Sequence, residues 1–245
     1  MMYSEKEMPS EVKGDNLDAY LAKGWFRMRD SIFTVSHLVD YENVSLHQVS
    51  WLRFQLDQIV EKKSHKKIRK KNSEFQVRYA VNYQATEIHN SLFEKYVASI
   101  DFHTYPSITE ALCGDGDINI FDTCSIEIFD GDKLIAVGVF DIGSIAAQSI
   151  MHFYDPEYSL FSLGKYLVLL TIDYLKNKNF IFYYPGYVVA GRTKFDYKLF
   201  IGEEIAYYFN SEISDWLLFN QDRLIDKEYT EEEVVKFVLT QLESD

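Results

Sequence analysis

Residues 155–175 read DPEYSLFSLGKYLVLLTIDYL. They follow an aromatic strand pattern, IMHFY at 150–154, and stop it with Asp-Pro, a pair suited to a turn. A Tyr/Ser/Phe-rich stretch then leads through Ser-Leu-Gly into a long apolar run, which predicts a helix from about Leu163 to Lys176. Strand, turn and helix N-terminus in that order make a place for a small molecule or an anion. The first helical N–H groups have no partner inside the helix.

Working outward, FIFYYPGYVV at 180–189 reads as the strand after this helix. Before the turn, INIFDTCSIEIF (118–129), KLIAVGVFDIG (133–143) and AQSIMHFY (147–154) predict a three-strand meander joined by the turn DGD and a short Gly-Ser link. Further upstream, TEIHNSLFEKYVASI (86–100) carries Ile88, Leu92, Phe93, Tyr96 and Ile100 at helical spacing, and FQVRYAVNY (75–83) alternates as a strand. The first seventy residues predict a short helix over DNLDAYLAKGW, capped by Asp15 or Asn16 and closed at Gly24. Strands over 26–39 and 43–54 follow, then a basic helix over 56–72 with a thin apolar stripe. The C-terminal part adds an aromatic strand, EIAYYFN, and an acidic helix from Thr230 with Glu233 three residues on. This order is α+β. We expect an N-terminal α/β extension carrying the basic segment over 1–73 and the main domain over 74–245.

Composition bounds the function. The chain has 245 residues, 47% hydrophobic and 16% aromatic, enough for a large core. No run approaches a membrane span and MMYSEKEMPSE lacks a signal-peptide layout, so a cytoplasmic protein with no membrane partner is expected. Cys113 and Cys124 are expected to be a reduced pair, though one disulfide would also fit. The histidines (37, 47, 65, 89, 103 and 152) show no metal-ligand spacing, so no metal is expected. Net charge is -13, against a nucleic-acid partner as a whole, yet KKSHKKIRKK at 62–71 holds seven basic residues in ten. The segment 203–245 holds twelve acidic residues and three basic. Charge is segregated, and a local basic surface survives on an acidic chain.

The helix, meander, turn, helix and strand resemble the N-acyltransferase (GNAT-like) core, in which two neighbouring strands splay apart around an acyl donor. Coenzyme A-dependent members carry a Gln/Arg-x-x-Gly-x-Gly/Ala run at the turn for the pyrophosphate, whereas EYSLFSLGKY has one glycine and no arginine. A closer resemblance is to the arginyl-tRNA-protein transferases, including the bacterial leucyl-transferring branch. Their C-terminal half is similar to FFDPxYxxxSLGxY, then a YLGYWI-like strand, then a KMxYKxxF-like stretch. Here FYDPEYSLFSLGKY (153–166), YYPGYVV (183–189) and KFDYKLF (194–200) stand in the same order and spacing over about fifty residues. Upstream, SIEIFDGDKLIAVGVFDIG resembles the family's strand pair, while GWFRMRDSIF and RFQLDQIVEKKSHKKIRKK resemble its Gly-Trp-Arg start and its basic segment. Pro185 stands where leucine is usual and Asp196 interrupts the last block. The Cys-x-x-Cys and Cys-Cys pairs of eukaryotic members are lacking, so no iron-sulfur cluster is expected.

The resemblance implies an aminoacyltransferase that moves an amino acid, arginine first and leucine second, from aminoacyl-tRNA to the α-amine of a protein or peptide N-terminus. The acceptor is either a general degradation substrate or a specialised peptide. The donor ester is already activated, so the enzyme has to position the amine, take up a proton and stabilise an oxyanion. No cofactor is implied beyond aminoacyl-tRNA as co-substrate. The alternatives are an acyl-coenzyme A-dependent N-acyltransferase and a non-catalytic relative that binds N-termini or tRNA.

Each candidate residue has two readings. Asp155 accepts the acceptor ammonium or is a plain turn residue. Ser162, with the N–H groups of Leu163 and Gly164, receives the terminal adenosine or the oxyanion, or Ser162 is an ordinary N-cap. Tyr158, Tyr166, Tyr184, Tyr187 and Tyr197 line the slot or belong to the core. Arg192, Lys194 and Lys198 pair with an acidic acceptor side chain or a phosphate, or are solvated. Asp141 and Glu127 bind an arginyl side chain or act as base. Lys62, Lys63, Lys66, Lys67, Arg69, Lys70 and Lys71 bind tRNA phosphates or form a solvated helix.

Overall fold

A computed structural model describes residues 2–101, 104–114, 116 and 118–244; His103 lies outside them. The meander forms as its strand segments and turn signals predict: β7 (Thr123–Asp130), β8 (Lys133–Ile142) and β9 (Ala146–Tyr154), antiparallel throughout. The 3-10 turn Pro156–Phe161 leads into α5 (Leu163–Asn177), which returns the chain to β10 (Phe182–Val189). A sheet of nine strands is built around these four. β6 (Gln76–Val81) pairs with β7 on one side. On the other, β5 (Ser45–Gln55) pairs with β10, β11 (Ala206–Asn210) with β5, and β12 (Asp215–Leu218) with β11. β4 (His37–Asp40) pairs with β5 off the main path. β5 comes from the first 73 residues and lies mid-sheet, so one sheet runs across the boundary at residue 73.

β8 shows why the centre of this sheet is so apolar. It is buried on both faces: Ala136 and Phe140 pack under α5, while Val137 and Val139 meet α3 (Glu87–Val97) and α4 (Ile108–Cys113) on the reverse side. A strand covered on both sides reads as a continuous apolar run. On α5, Leu163, Leu167, Leu170 and Leu175 press onto the sheet. Each fully buried leucine contributes roughly 1.5–3 kcal/mol. A third cluster joins α1 (Asp15–Ala22) and α6 (Glu231–Ser244) to a three-stranded sheet of β1 (Ser4–Glu7), β2 (Phe26–Met28) and β3 (Ser31–Val35).

Several local expectations are corrected. The basic helix starts later, because the 3-10 turn Leu56–Gln58 precedes α2 (Lys63–Lys71). Residues 26–39 bend into three short strands, with Arg29 at positive φ in the first bend. Gly14, not Asp15 or Asn16, sits at the α1 N-cap. Asp18 instead accepts the N–H groups of Ser144, Ile145 and Ala146, fixing α1 to the β8–β9 turn. Thr230 and Glu233 do form their reciprocal cap. No helix among the described residues is long and apolar enough to cross a membrane.

Among the described strands of the large sheet, β9 and β10 form the parallel pair, and they touch at three positions: Phe182 with Ala146, Tyr183 with Ala147, Tyr184 with Gln148. The pairing ends at Pro185–Gly186. Proline brings no N–H, Gly186 takes φ +96°, and the register of β10 on β5 shifts between Tyr183 and Gly186. Beyond that point β10 continues on β5 and β9 continues on β8, so the two part. Pro185, unusual in the family pattern, therefore sits where the missing N–H leaves no ladder bond unmade.

Gly186→Ala is expected to destabilise the fold by about 1–3 kcal/mol, because φ +96° strains any side chain. Gly164→Ala in the first turn of α5 is expected to be neutral or stabilising, with Tyr154 3.9 Å from the added methyl. Urea unfolding of both variants checks the contrast.

Candidate active site

Where β9 and β10 part there is a cavity of ≈ 430 Å³. Its walls are Gln148–His152 from β9, Pro185–Tyr187 from β10, and Phe195, Tyr197 and Lys198 from the 3-10 segment Thr193–Ile201. The far wall comes from β2, α3 and the stretch before α4: Phe26, Arg27, Met28, Arg29, Phe93, Tyr96 and Tyr105. The inner end is aromatic. Phe26 stacks on Trp51 at 3.8 Å between centroids, and Phe33 and Tyr187 meet Trp51 edge-on. A second cavity, ≈ 340 Å³, lies at the N-terminus of α5 between Ser159, Ser162, Leu163, Gly164, Lys165 and Tyr154. Tyr96, His152 and Tyr197 wall both, so the two are neighbours.

Lys198 stands at the junction. Its Nζ donates to the Tyr187 carbonyl at 2.9 Å and lies over the rings of Tyr187, Phe195 and Tyr197. Burial among these rings lowers its pKa to about 7, against the opposing pull of Asp196. His152 faces the same space; burial, with Lys198 nearby, lowers its pKa to about 4, so the ring is neutral near pH 7.

The structure thus brings six expected residues to the cavities: Ser162, Leu163, Gly164, Tyr187, Tyr197 and Lys198. Ser162 is not an ordinary N-cap. It adopts the left-handed conformation (φ 56°, ψ 43°), and its hydroxyl takes no helical N–H. The other candidates are committed elsewhere. Asp155, 1% exposed, binds Lys95 at 2.8 Å and Lys133 at 2.9 Å and accepts the Glu157 N–H at 3.0 Å. Burial raises its carboxyl, but these bonds outweigh the penalty and hold it at about 2. It anchors the turn that delivers α5. Asp141 is fully buried beneath the cavity floor, bound to Arg27 at 2.7 Å, Thr123 at 2.6 Å and Gln148 at 3.1 Å. Burial raises its pKa against these partners. Glu127 faces His89 at 3.2 Å beside the N-cap of α3.

Tyr158 donates to Asp130 at 2.8 Å, while Tyr166 and Tyr184 are core residues. Arg192 bonds Asp40 and His47, and Lys194 lies over Phe195. In the basic run, Lys62 pairs with Glu204, Lys66 with Glu61, Arg69 with Asp173 and Glu61, and Lys71 with the Leu160 carbonyl. Lys63, Lys67 and Lys70 are exposed and have no acidic partner among the described residues. Sequence reasoning missed Gln148, His152, Tyr96, Arg29 and the aromatic end at Phe26 and Trp51. GWFRMR carried a signal for Phe26 and Arg29, since it resembled the family's opening motif. Nothing in the pattern around His152 or Tyr96 set them apart. No group of three or more His, Cys, Asp or Glu among the described residues is arranged to hold a metal ion, and no disulfide joins Cys113 and Cys124.

A family model described as arginine-tRNA-protein transferase, C terminus, matches residues 57–205, which hold β9, α5, β10 and Lys198. The chain belongs to this family. An aspartate/glutamate leucyltransferase of Acinetobacter baumannii is 27% identical over 135 residues, covering 54% of this chain and 50% of the relative. One of Campylobacter jejuni is 42% identical over 67 residues, covering 27% and 28%. The chain spans half the length of the Acinetobacter relative it matches. Among solved structures, the C-terminal domain (DUF2156) of a proposed lysylphosphatidylglycerol synthetase from Agrobacterium fabrum overlays with TM-score 0.44 at 8% identity, covering 64% and 52% of the two chains. That likeness is too distant to argue from.

Asp155→Asn leaves Lys95 and Lys133 facing a neutral amide. A loss of about 2 kcal/mol is expected, below the value for a fully buried pair because both lysines stay half wet. The folded pKa lies below the unfolded value of about 3.9, so the carboxylate's contribution is full above pH ~4 and fades toward pH 2. Denaturant melts from pH 7 to 2 are expected to show the variant's deficit shrinking across that window.

Proposed function

We propose that this chain transfers an amino acid from aminoacyl-tRNA to the α-amine of a protein or peptide N-terminus, with the parted strands β9 and β10 holding ester and amine. The observation that carries the reading is the overlap of the family segment, 57–205, with the cavity opened at Pro185–Gly186. The site has the two halves such a reaction needs: an apolar end for a side chain, and a polar junction at Lys198, His152 and the first turn of α5. Transfer needs no resident cofactor, because the ester is already activated. A cytoplasmic setting, where aminoacyl-tRNA is made, goes with it.

Leucine suits the donor side better than arginine. Asp141 and Glu127, the carboxylates expected to meet an arginyl side chain, are held by Arg27 and His89. The described residues lining the larger cavity include no carboxylate, while Phe26, Met28, Trp51 and Met151 offer an apolar wall. Arg29, on the same wall, suits an acidic acceptor side chain. The names of the relatives, aspartate/glutamate leucyltransferases, support both assignments. We place the tRNA phosphates on Lys63, Lys67 and Lys70. The coenzyme A alternative lacks support at α5, where Lys165 lies over Phe200 beside a single glycine.

Incubation with labelled leucyl- and arginyl-tRNA and peptides beginning with Asp, Glu, Lys or Arg is expected to give leucine on Asp and Glu peptides. No transfer with any pairing contradicts the reading, and tRNA binding without transfer points to a non-catalytic relative. Changing Lys63, Lys67 and Lys70 to Glu is expected to weaken tRNA binding and reduce the slope of log K against log salt by about 2–3. An unchanged slope removes tRNA from α2.

A further inference from the structure

Resting on the transfer reading, we propose that Lys198 is the catalytic base that takes the first proton from the acceptor's α-ammonium. Three geometric observations carry it. Lys198 lies where β9 and β10 part, with its amine tied to the Tyr187 carbonyl, one residue beyond the bulge. Gly186 adjoins the lysine stem: a Cβ there would stand 3.5 Å from Lys198 Cε, in ordinary contact. The two carboxylates that the sequence offered for the task are engaged: Asp155 with two lysines and Asp141 with Arg27.

The surroundings suit a neutral amine. Tyr197, Tyr187 from β10, His152 from β9, Tyr96 from α3 and Arg29 from the bend after β2 share the cavity of Lys198, and Asp196 acts on the lysine from its own segment. Asp196 and the Tyr187 carbonyl favour its charged form, but burial prevails and leaves the lysine at about 7. A peptide α-ammonium titrates at about 7.7–8.0, so the two exchange a proton at nearly even free energy, as efficient acid–base catalysis requires. His152, at about 4, is a far weaker acceptor.

The step balances. The α-ammonium gives one proton to Lys198 Nζ and becomes a neutral amine. The amine nitrogen attacks the ester carbonyl, a C–N bond forms, and the C–O bond to the ribose breaks. The second proton of that nitrogen passes to the departing ribose oxygen, and Lys198 releases its own proton to water.

The test has two arms on the full chain. Competitive acetylation with acetic anhydride from pH 6 to 9, read by peptide mass spectrometry, is expected to show the reactivity of Lys198 levelling off above a midpoint near 7, while that of the exposed lysines keeps rising across the range. With leucyl-tRNA and a Glu-initiated peptide, Lys198→Met and Lys198→Arg are both expected to lower kcat by about 10²-fold or more, because arginine keeps the charge and cannot give up its proton. Restoration of the rate by arginine, or titration of Lys198 with the other lysines, overturns the proposal and leaves the transfer reading standing. Absence of transfer by the unchanged protein overturns both.

Discussion

The parting of two parallel strands is the constraint on which the molecule depends. A parallel pair needs a crossover, here the turn 156–161 and α5, and the crossover sets the helix N-terminus beside the opening. The pair then has to end, and a proline without an N–H followed by a glycine at φ +96° ends it after three positions. From there each strand keeps one neighbour, β8 or β5, and the space between them becomes a cavity instead of core.

A gap in a sheet has to be held from outside, and buried charge does much of that work here. Beneath the floor, Arg27 and Asp141 join β2 to β8 with Thr123, Gln148 and Asn119 completing the bonds. Asp155 gathers Lys95 from α3 and Lys133 from the start of β8, so the turn before α5 is tied to a covering helix and to the sheet. Such pairs are weak sources of net stability, but removing one partner leaves a buried charge exposed to loss. They suit fixing a position. Lys198, on the cavity wall, is by contrast a charge whose burial opposes its protonation.

Much of this was legible in the sequence because period and punctuation agreed. Apolar segments bounded by turn residues marked the meander, a long apolar run after Ser-Leu-Gly marked α5, and the spacing of DPEYSLFSLGKY to YYPGY and KFDYK pointed to the family. The site was legible in part. Lys198, Tyr187 and the first turn of α5 stood inside those motifs, whereas His152 and Tyr96 look like any residue on a half-buried strand or helix. The roles of Asp155, Asp141 and Glu127 were hidden for a different reason. A carboxylate's task depends on what folds against it, and Lys95, Arg27 and His89 stand 60, 114 and 38 residues away in the chain.

The most direct test is to locate a non-hydrolysable donor. A crystal structure of the protein with 3′-leucylamido-3′-deoxyadenosine should show the amide carbonyl between Ser149–His152 and Gly186–Tyr187, with the leucyl side chain toward Phe26 and Trp51 and the adenosine at Ser162–Gly164. Density for the analogue in another part of the molecule, with the gap between β9 and β10 unoccupied, would contradict the account.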